Sequence, residues 1–299
     1  MVHAKTLTLD DYVDAANVDA LIALARAEDL GEAGVDVTSE ATMPLDRTAR
    51  AAMVARVPGT LAGVALLPRI AHAYGADLDV TIDVADGGRV EAGTRIAHYR
   101  GPLRALLAME RVALNFVTHL SGVATLTAAY VARTHGTAAR ICDTRKTIPG
   151  LRGLQKYAVV CGGGVSHRMG LNDAMLIKDN HIAGITGDEL GPAIHAAIAR
   201  ARAAHPGLAF AEVEVDTLEQ LRHVLGRGAD MILLDNMSLD DLARAVAMRN
   251  DAGSGERLEA SGGVSLDAVA AIARTGVDRI AVGALTHSAP ALDVGLDIT

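Results

Sequence analysis

Apolar residues in the first thirty positions fall at helical spacing. Val18, Leu21, Ile22, Leu24 and Ala25 make one face, which predicts a helix over 18–30, stopped by Gly31 and Gly34. Asp36-Val37-Thr38-Ser39 reads as a turn, with Ser39 capping the short stretch behind it. From Arg50 the pattern changes to strand. Residues 51–57 and 60–63 flank Pro58-Gly59 and predict a hairpin. Residues 65–74 read as a helix, 80–84 as a strand, Asp86-Gly87-Gly88 as a turn and 94–99 as a further strand. The stretch 50–100 is therefore expected to form a small antiparallel sheet with one helix. After Gly101-Pro102, residues 103–133 predict a long helical region, broken near Ser121-Gly122, which joins two domains spanning 1–116 and 117–299.

Beyond Ala138 the pattern takes a regular beat. Strands are predicted at 138–142, 174–177, 209–215, 231–234, 257–260 and 279–282. Helices are predicted near 151–161, 188–204, 217–226, 238–250 and 265–275. Such alternation means βαβ units and a parallel sheet, either closed as a barrel or open and doubly wound. The strand ends favour the barrel. They read Asp143-Thr144-Arg145-Lys146, Lys178-Asp179-Asn180-His181, Glu214 to Asp216, Asp235-Asn236, Ser261-Gly262-Gly263 and Gly283-Ala284. An open sheet needs polar groups at one switch point, whereas a barrel mouth needs a ring of them.

Composition narrows the class. Half the residues are hydrophobic, yet there is no Trp and there are only two Phe, so the core is aliphatic. No run reaches the ~18 consecutive apolar residues of a membrane span, and the acidic first twenty residues lack the pattern of a signal peptide. Cys142 and Cys161 are the only cysteines and suggest neither a zinc site nor a disulfide framework; both read as small buried hydrophobes. A cytoplasmic enzyme is expected. The formal net charge of -8, with no basic stripe interleaved with aromatics, argues against nucleic-acid binding.

Against that acidic background one window is basic. Residues 140–182 hold Arg140, Arg145, Lys146, Arg152, Lys156, Arg168 and Lys178 against Asp143, Asp173 and Asp179. A basic island in an acidic chain draws anions locally. Three constellations follow. Arg145, Lys146, His167, Arg168 and Lys178 form a cationic set, suited to a ligand with several negative charges; the competing account is pairing with the barrel's own acids. Glu214 and Asp235 suit ribose hydroxyls or a hydrated Mg²⁺, or else neutralise the cations, while Glu212 on the Glu214 face reads as structural. Ser261-Gly262-Gly263, ahead of a helix starting near Ser265, and Gly283-Ala284 suit phosphate. Gly162-Gly163-Gly164 lets the chain turn to present His167 and Arg168. A strand-end lysine such as Lys178 is also compatible with a Schiff-base aldolase, and the phosphate groups with a binder that performs no chemistry.

The run from Asp143 to Ile182, DTRKTIPGLRGLQKYAVVCGGGVSHRMGLNDAMLIKDNHI, closely resembles the signature of the quinolinate phosphoribosyltransferase family, also called carboxylating nicotinate-nucleotide pyrophosphorylases. The blocks AEDLGEAGVDVTS (27–39), VEVDTLEQL (213–221), DMILLDNMS (230–238), EASGGVSLD (259–267) and VGALTHSAPALD (282–293) resemble that family's other blocks in order. The resemblance implies an N-terminal open-faced α+β sandwich and a C-terminal incomplete, about six-stranded parallel α/β barrel. It implies a homodimer, or a higher oligomer, in which each N-terminal domain covers the other subunit's barrel mouth. It implies that quinolinate and phosphoribosyl pyrophosphate react with Mg²⁺ to give nicotinate mononucleotide, pyrophosphate and CO₂, in de novo NAD biosynthesis. By the same resemblance Thr144, Arg145, Lys146, His167 and Arg168, with Arg111 of the partner subunit, receive the dicarboxylate. Lys146 and Lys178 reach carboxylate or pyrophosphate, and Glu214 and Asp235 take ribose and the metal, directly or through water. Ser261, Gly262, Gly263, Val282, Gly283 and Ala284 hold the 5′-phosphate, with His287 nearby. Lys146, Lys178, Glu214 and Asp235 are the implied catalytic set. Ile148 and Ser166 depart from the family's usual Thr and Asn and keep open a paralogue acting on another ring.

Overall fold

The computed structural model describes residues 8–75, 77–185 and 187–298. In chain order they form α1 (Ala15–Leu30), α2 (Val37–Thr42), β1 (Thr48–Ala55), β2 (Gly59–Thr60), α3 (Leu67–Tyr74), β3 (Asp79–Ile82), β4 (Arg89–Val90), β5 (Arg95–Pro102) and α4 (Leu103–Arg133). There follow β6 (Arg140–Cys142), α5 (Arg152–Cys161), β7 (Met175–Ile177), α6 (Leu190–Ala204), β8 (Ala211–Val215), α7 (Leu218–Val224), β9 (Met231–Asp235) and α8 (Leu239–Asp251). The chain ends with β10 (Arg257–Ser261), α9 (Val269–Arg274), β11 (Arg279–Ala281), α10 (Ala284–His287) and β12 (Val294–Ile298). Two compact units result. The first takes the described residues of Met1–Ala128, Thr147–Gly163 and Leu285–Thr299; the second takes Ala129–Lys146 and Gly164–Ala284. A single cut at 116/117 does not follow this division, because the segments around α5 and β12 return to the first unit.

The first unit is built on an antiparallel sheet in the order β12-β1-β5-β3. Its predicted hairpin does not form. β1 pairs with β5 and β12, while β2 pairs with β4 in a separate two-stranded ribbon. The Pro58-Gly59 signal marks the end of β1, not a return onto it. The cap prediction also shifts by three residues. The Asp36 carboxylate accepts the amides of Thr38 and Ser39 and caps α2, so Ser39 lies inside the helix.

The predicted break at Ser121-Gly122 is likewise absent, and α4 runs unbroken for 31 residues. Leu106, Met109, Ala113, Val117, Leu120 and Ala124 are buried along it at helical spacing. Its most apolar window is 56% buried inside the protein, as expected of a core helix. Ser121 and Gly122 are there for close approach. Ser121 Oγ accepts the Ala62 amide at 3.0 Å and donates to the Ala62 carbonyl at 3.2 Å. A Cβ on Gly122 would overlap the Pro290 carbonyl and come within 3.0 Å of Ala291 Cα. Both obstacles are backbone, which cannot rotate away. Gly122→Ala is therefore expected to destabilise the protein by roughly 3 kcal/mol through overpacking, read as a lower urea midpoint. Gly207→Ala, with nothing within 4 Å of its Cβ, is the control and should stay near wild type.

The second unit contains the six parallel strands the sequence beat predicts, each within two residues of its expected ends. Their order is β6-β11-β10-β9-β8-β7. Each strand from β7 to β11 lies beside the next in sequence, and β6 lies beside β11. This is the cyclic order of an α/β barrel interrupted between β6 and β7. Val165 partly fills the interruption: its amide donates to Ile141 O at 2.8 Å and its carbonyl accepts from Asp143 N at 3.3 Å. β8 is buried along its whole length, with Val213 and Val215 on one face and Glu212 and Glu214 on the other.

Candidate active site

Within the second unit the chemistry collects at the carboxyl ends of the strands. β8 carries two carboxylates on one face, and each meets a predicted cation. The upper one, Glu214, is 9% exposed, and its Oε2 accepts from Lys178 Nζ at the end of β7. The Lys178 amide donates to His181 Nδ1 at 2.9 Å, so that ring ties down the turn beyond β7. The lower one, Glu212, is fully buried, with Oε2 2.9 Å from His167 Nε2. Glu212 thus has a direct part in arranging the cationic set, beyond the structural role its pattern suggests.

Arg145 and Arg168 come together. Burial lowers the pKa of the Arg168 guanidinium, and the nearby charge of Arg145 lowers it further. Arg168 Nη1 donates to Ala174 O at 3.3 Å, whereas Arg145 Nε is buried without a hydrogen-bond partner. Two guanidiniums held near each other, one with an orphaned buried N–H, are costly unless an anion joins them. Arg168 also lines a cavity of about 530 Å³ along β7, with Leu171, Met175, Ile177, His181 and Arg200. Thr144 Oγ1 accepts the Lys146 amide at 3.0 Å and fixes the turn on which Arg145 and Lys146 stand; Lys146 itself is exposed.

His167 sits deeper than a surface ligand, at 8% exposure. Its amide donates to the buried Asp143 carboxylate at 2.9 Å. Nε2 lies 2.9 Å from Glu212 and 3.3 Å from Glu259, and Phe210 packs against the ring edge-on with centroids 5.4 Å apart. Nδ1 accepts the Arg168 amide at 2.7 Å. Burial alone would lower the imidazole pKa, but pairing of Nε2 with its two carboxylates lifts it to about 9. These influences conflict: the carboxylates favour a doubly protonated ring, yet an N–H already points at Nδ1. The short amide contact leaves no room for a second proton, so the ring is assigned as neutral with its proton on Nε2. Burial also raises the pKa of Glu212, whereas Glu259 falls below its usual range: its own burial works against this, and His167 and Arg279 overcome it. Arg279 Nε lies 2.8 Å from Glu259 Oε2, and Cys142 Sγ donates to the same oxygen at 3.3 Å. Cys142 is buried, as expected, and is part of this network.

The acidic pair is completed by Asp235 at the end of β9. Its Oδ2 accepts from Asn236 Nδ2 at 2.6 Å. Asn236 was no part of the predicted site. It is the one non-glycine among the described residues with positive φ, at 53°, a region Asn tolerates better than most residues. Its amide donates to Ser261 O at 3.0 Å, and its side chain fills the space where a Cβ on Gly262 would stand. The Asp-Asn step at a strand end was the available signal. Gly262 and Gly263 have φ of 98° and 54°, so the loop after β10 needs both glycines. The Val269 amide bonds Ser265 O, so winding starts at Ser265 although regular α9 begins later. After β11 the Val282 amide bonds Cys142 O at 2.9 Å, and Gly283-Ala284 lead into α10.

Two predicted residues belong to the first unit. His287, at the end of α10, is exposed, with Nδ1 2.6 Å from Ser288 Oγ. Arg111 is exposed on α4 and lines a cavity of about 370 Å³ with Leu21, Leu24, Asn115, His119 and Ile148. Glu212, Glu259, Arg279 and Asn236 are the site residues that sequence patterning left out or demoted.

An α/β-barrel protein with an arginine pair, a lysine–carboxylate pair and glycine loops at its strand ends is of the class that binds multiply charged phosphate and carboxylate ligands. The comparisons with known proteins refine that class. Residues 36–121 match the quinolinate phosphoribosyl transferase N-terminal domain and residues 123–297 the C-terminal domain, and the chain belongs to that family. A nicotinate-nucleotide pyrophosphorylase [carboxylating] of Mycobacterium leprae is 47% identical over 268 residues, covering 89% of this chain and 92% of that protein. A probable nicotinate-nucleotide pyrophosphorylase [carboxylating] of Bacillus subtilis is 40% identical, covering 91% and 90%. The solved nicotinate-nucleotide pyrophosphorylase of Francisella tularensis superposes with a TM-score of 0.87 at 36% identity, covering 96% of this chain and 98% of that one.

Proposed function

We propose that this protein transfers the phosphoribosyl group of phosphoribosyl pyrophosphate to quinolinate and releases CO₂, in the cytoplasm, as a step of NAD biosynthesis. The observation that carries this reading is the Arg145–Arg168 pair with its orphaned buried Arg145 Nε, a cradle for a ligand bearing two adjacent carboxylates. In the first step the pyridine nitrogen forms a bond to C1′. The C1′–oxygen bond breaks as its electron pair leaves with pyrophosphate, through an oxocarbenium-like state. The ring nitrogen is then cationic. It draws in the electron pair of the adjacent C–CO₂⁻ bond, CO₂ departs and the ring carbon takes a proton. The protein contributes orientation and charge placement and needs no covalent nucleophile. The arginines orient the dicarboxylate. Lys178, held by Glu214, stands where charge develops on the leaving group. The loops at 261–263 and 282–284 suit the 5′-phosphate.

Mg²⁺ fits the acidic pair. Lys178 engages one oxygen of Glu214 and Asn236 one oxygen of Asp235, which leaves each carboxylate a hard donor for the ion or its bound water. The ion supplies neutralisation of pyrophosphate charge. We further propose a homodimer in which the partner subunit's Arg111 joins the dicarboxylate clamp. The exposed arginine on the wall of a largely apolar cavity in the first unit supports this.

The departures at 148 and 166 leave the cationic set in place. Ile148 is exposed, and its amide donates to Gln155 Oε1; Ser166 turns its hydroxyl to His167 O. Purified protein with quinolinate, phosphoribosyl pyrophosphate and Mg²⁺ is expected to release CO₂ and mononucleotide in equal amounts, and a chelator is expected to stop it. Equal or better turnover of nicotinate, without CO₂, would overturn the substrate assignment.

A further inference from the structure

Beneath the strand ends lies a charged layer that the reaction itself does not call on: Glu212 on β8, Glu259 on β10, Arg279 on β11 and Cys142 on β6. All four are at most 9% exposed. Barrel interiors are ordinarily packed with branched aliphatics, and a buried ion network is no gain in stability over well-packed apolar residues. A role in ordering the groups above accounts for it better. His167, Glu212 and Glu259 place one ligand atom each within 4.8 Å of one another, the composition of a metal site. Arg279 already supplies positive charge to Glu259 at 2.8 Å, so the cluster reads as an internally balanced set of buried ion pairs.

We propose that Glu212 and Glu259 are positioning residues for the carboxylate-binding wall: they clamp His167 by Nε2, and the clamped ring, through Nδ1, fixes the main chain from which Arg168 projects. The ring is held by the two carboxylates, by the Arg168 amide and by Phe210 against its edge, and Asp143 holds the main-chain amide of the same residue. Both ring nitrogens are spent inside the protein. His167 therefore contributes order to the site and no donor to the substrate, while Arg168 beside it does the binding. β8 then serves the wall twice, through Glu212 to His167 and through Glu214 to Lys178.

The proposal separates from a directly bound, cationic His167 by spectroscopy. In ¹⁵N-histidine-labelled protein, with the His167→Asn variant used to assign the signal, Nδ1 is expected to be pyridine-like and Nε2 pyrrole-like, both before and after quinolinate is added. A doubly protonated ring, or an Nδ1 that gains a proton when quinolinate binds, overturns it. The kinetic arm rests on the quinolinate reading. Glu212→Ala is expected to raise the KM for quinolinate about tenfold, the cost of leaving a buried polar group without its partner. The KM for phosphoribosyl pyrophosphate should stay within about twofold, since the effect is confined to one wall. Glu212→Gln, which keeps an acceptor for the Nε2 proton, is expected to recover most of the loss. Equal rises in both KM values, or no rise in a folded variant, overturn the positioning role. Should Glu212→Ala fail to fold, the labelled wild-type protein decides. Should wild type not turn over quinolinate at all, the functional reading fails, and the ring state of the free protein still tests the clamp.

Discussion

Lys178→Ala is expected to lower kcat by about 10²–10³, the usual cost of removing one preorganised group that meets developing charge, and to do so with little change in fold. The ammonium is paired with Glu214 and about two-fifths exposed, so it is fixed at one end and open to a ligand at the other. Removing it has two effects. The site loses the charge proposed to meet the departing pyrophosphate, and Glu214, nine-tenths buried, is left as a carboxylate without its cation. The two are separable. Glu214→Gln relieves the second without restoring the first, though it also takes a proposed donor from Mg²⁺, so the losses in the double variant should be less than additive. Strict additivity of the two losses would mean that the residues act independently, contrary to their contact. The same pair argues against the Schiff-base alternative. An amine that donates to a carboxylate presents protons, whereas attack on a carbonyl needs its lone pair. Borohydride in the presence of a carbonyl substrate should leave the mass of the protein unchanged; a stable adduct on Lys178 would reverse this conclusion.

Legibility in the sequence followed the range of the interactions. The parallel strands were readable because each is apolar in pattern and bounded by polar or glycine-rich ends, so β6 to β11 announce themselves locally. Lys178, Glu214 and Asp235 were readable for the same reason, as charges that stop an apolar run. What failed depends on partners distant in the chain. β12 was not anticipated, because the row Val294–Ile298 becomes a strand only by pairing with β1, more than 230 residues earlier. Pro58-Gly59 has the composition of a hairpin turn, and only the remote neighbours of β1 show that it is not one. Gly122 looked like a helix breaker because Pro290, which it accommodates, is invisible from its own neighbourhood. The network under His167 was hidden in another way. Glu212, Glu259 and Arg279 lie on three different strands, and a side-chain period of two cannot tell which face of a strand lines the barrel until the barrel is closed.

Mixing Arg111→Ala with Lys178→Ala, each nearly inactive alone, is expected to restore about a quarter of wild-type activity. Arg111 stands exposed on α4 on the wall of a largely apolar cavity that Glu28 and Asp29 also line. A dicarboxylate bound by Arg145 and Arg168 gains most from those charges when water is excluded, because charge interactions strengthen several-fold as the local dielectric falls. A covering domain from a second subunit would exclude that water and deliver a third guanidinium, whose fork can hold a carboxylate with two hydrogen bonds. Losing it should cost roughly 2–5 kcal/mol of transition-state stabilisation, as for truncating one member of a buried charge pair at an interface. The dimer itself should persist, since one exposed arginine does not hold an interface together. The arithmetic of mixing follows from twofold symmetry. Random exchange makes about half the dimers mixed, and each mixed dimer has one site carrying both lesions and one carrying neither, so about a quarter of all sites are intact. Activity recovered to that level, with exchange followed by mass spectrometry, establishes a site completed in trans. If exchange is complete and activity stays at the level of the parents, Arg111 serves its own subunit or takes no part, and the shared-site proposal falls.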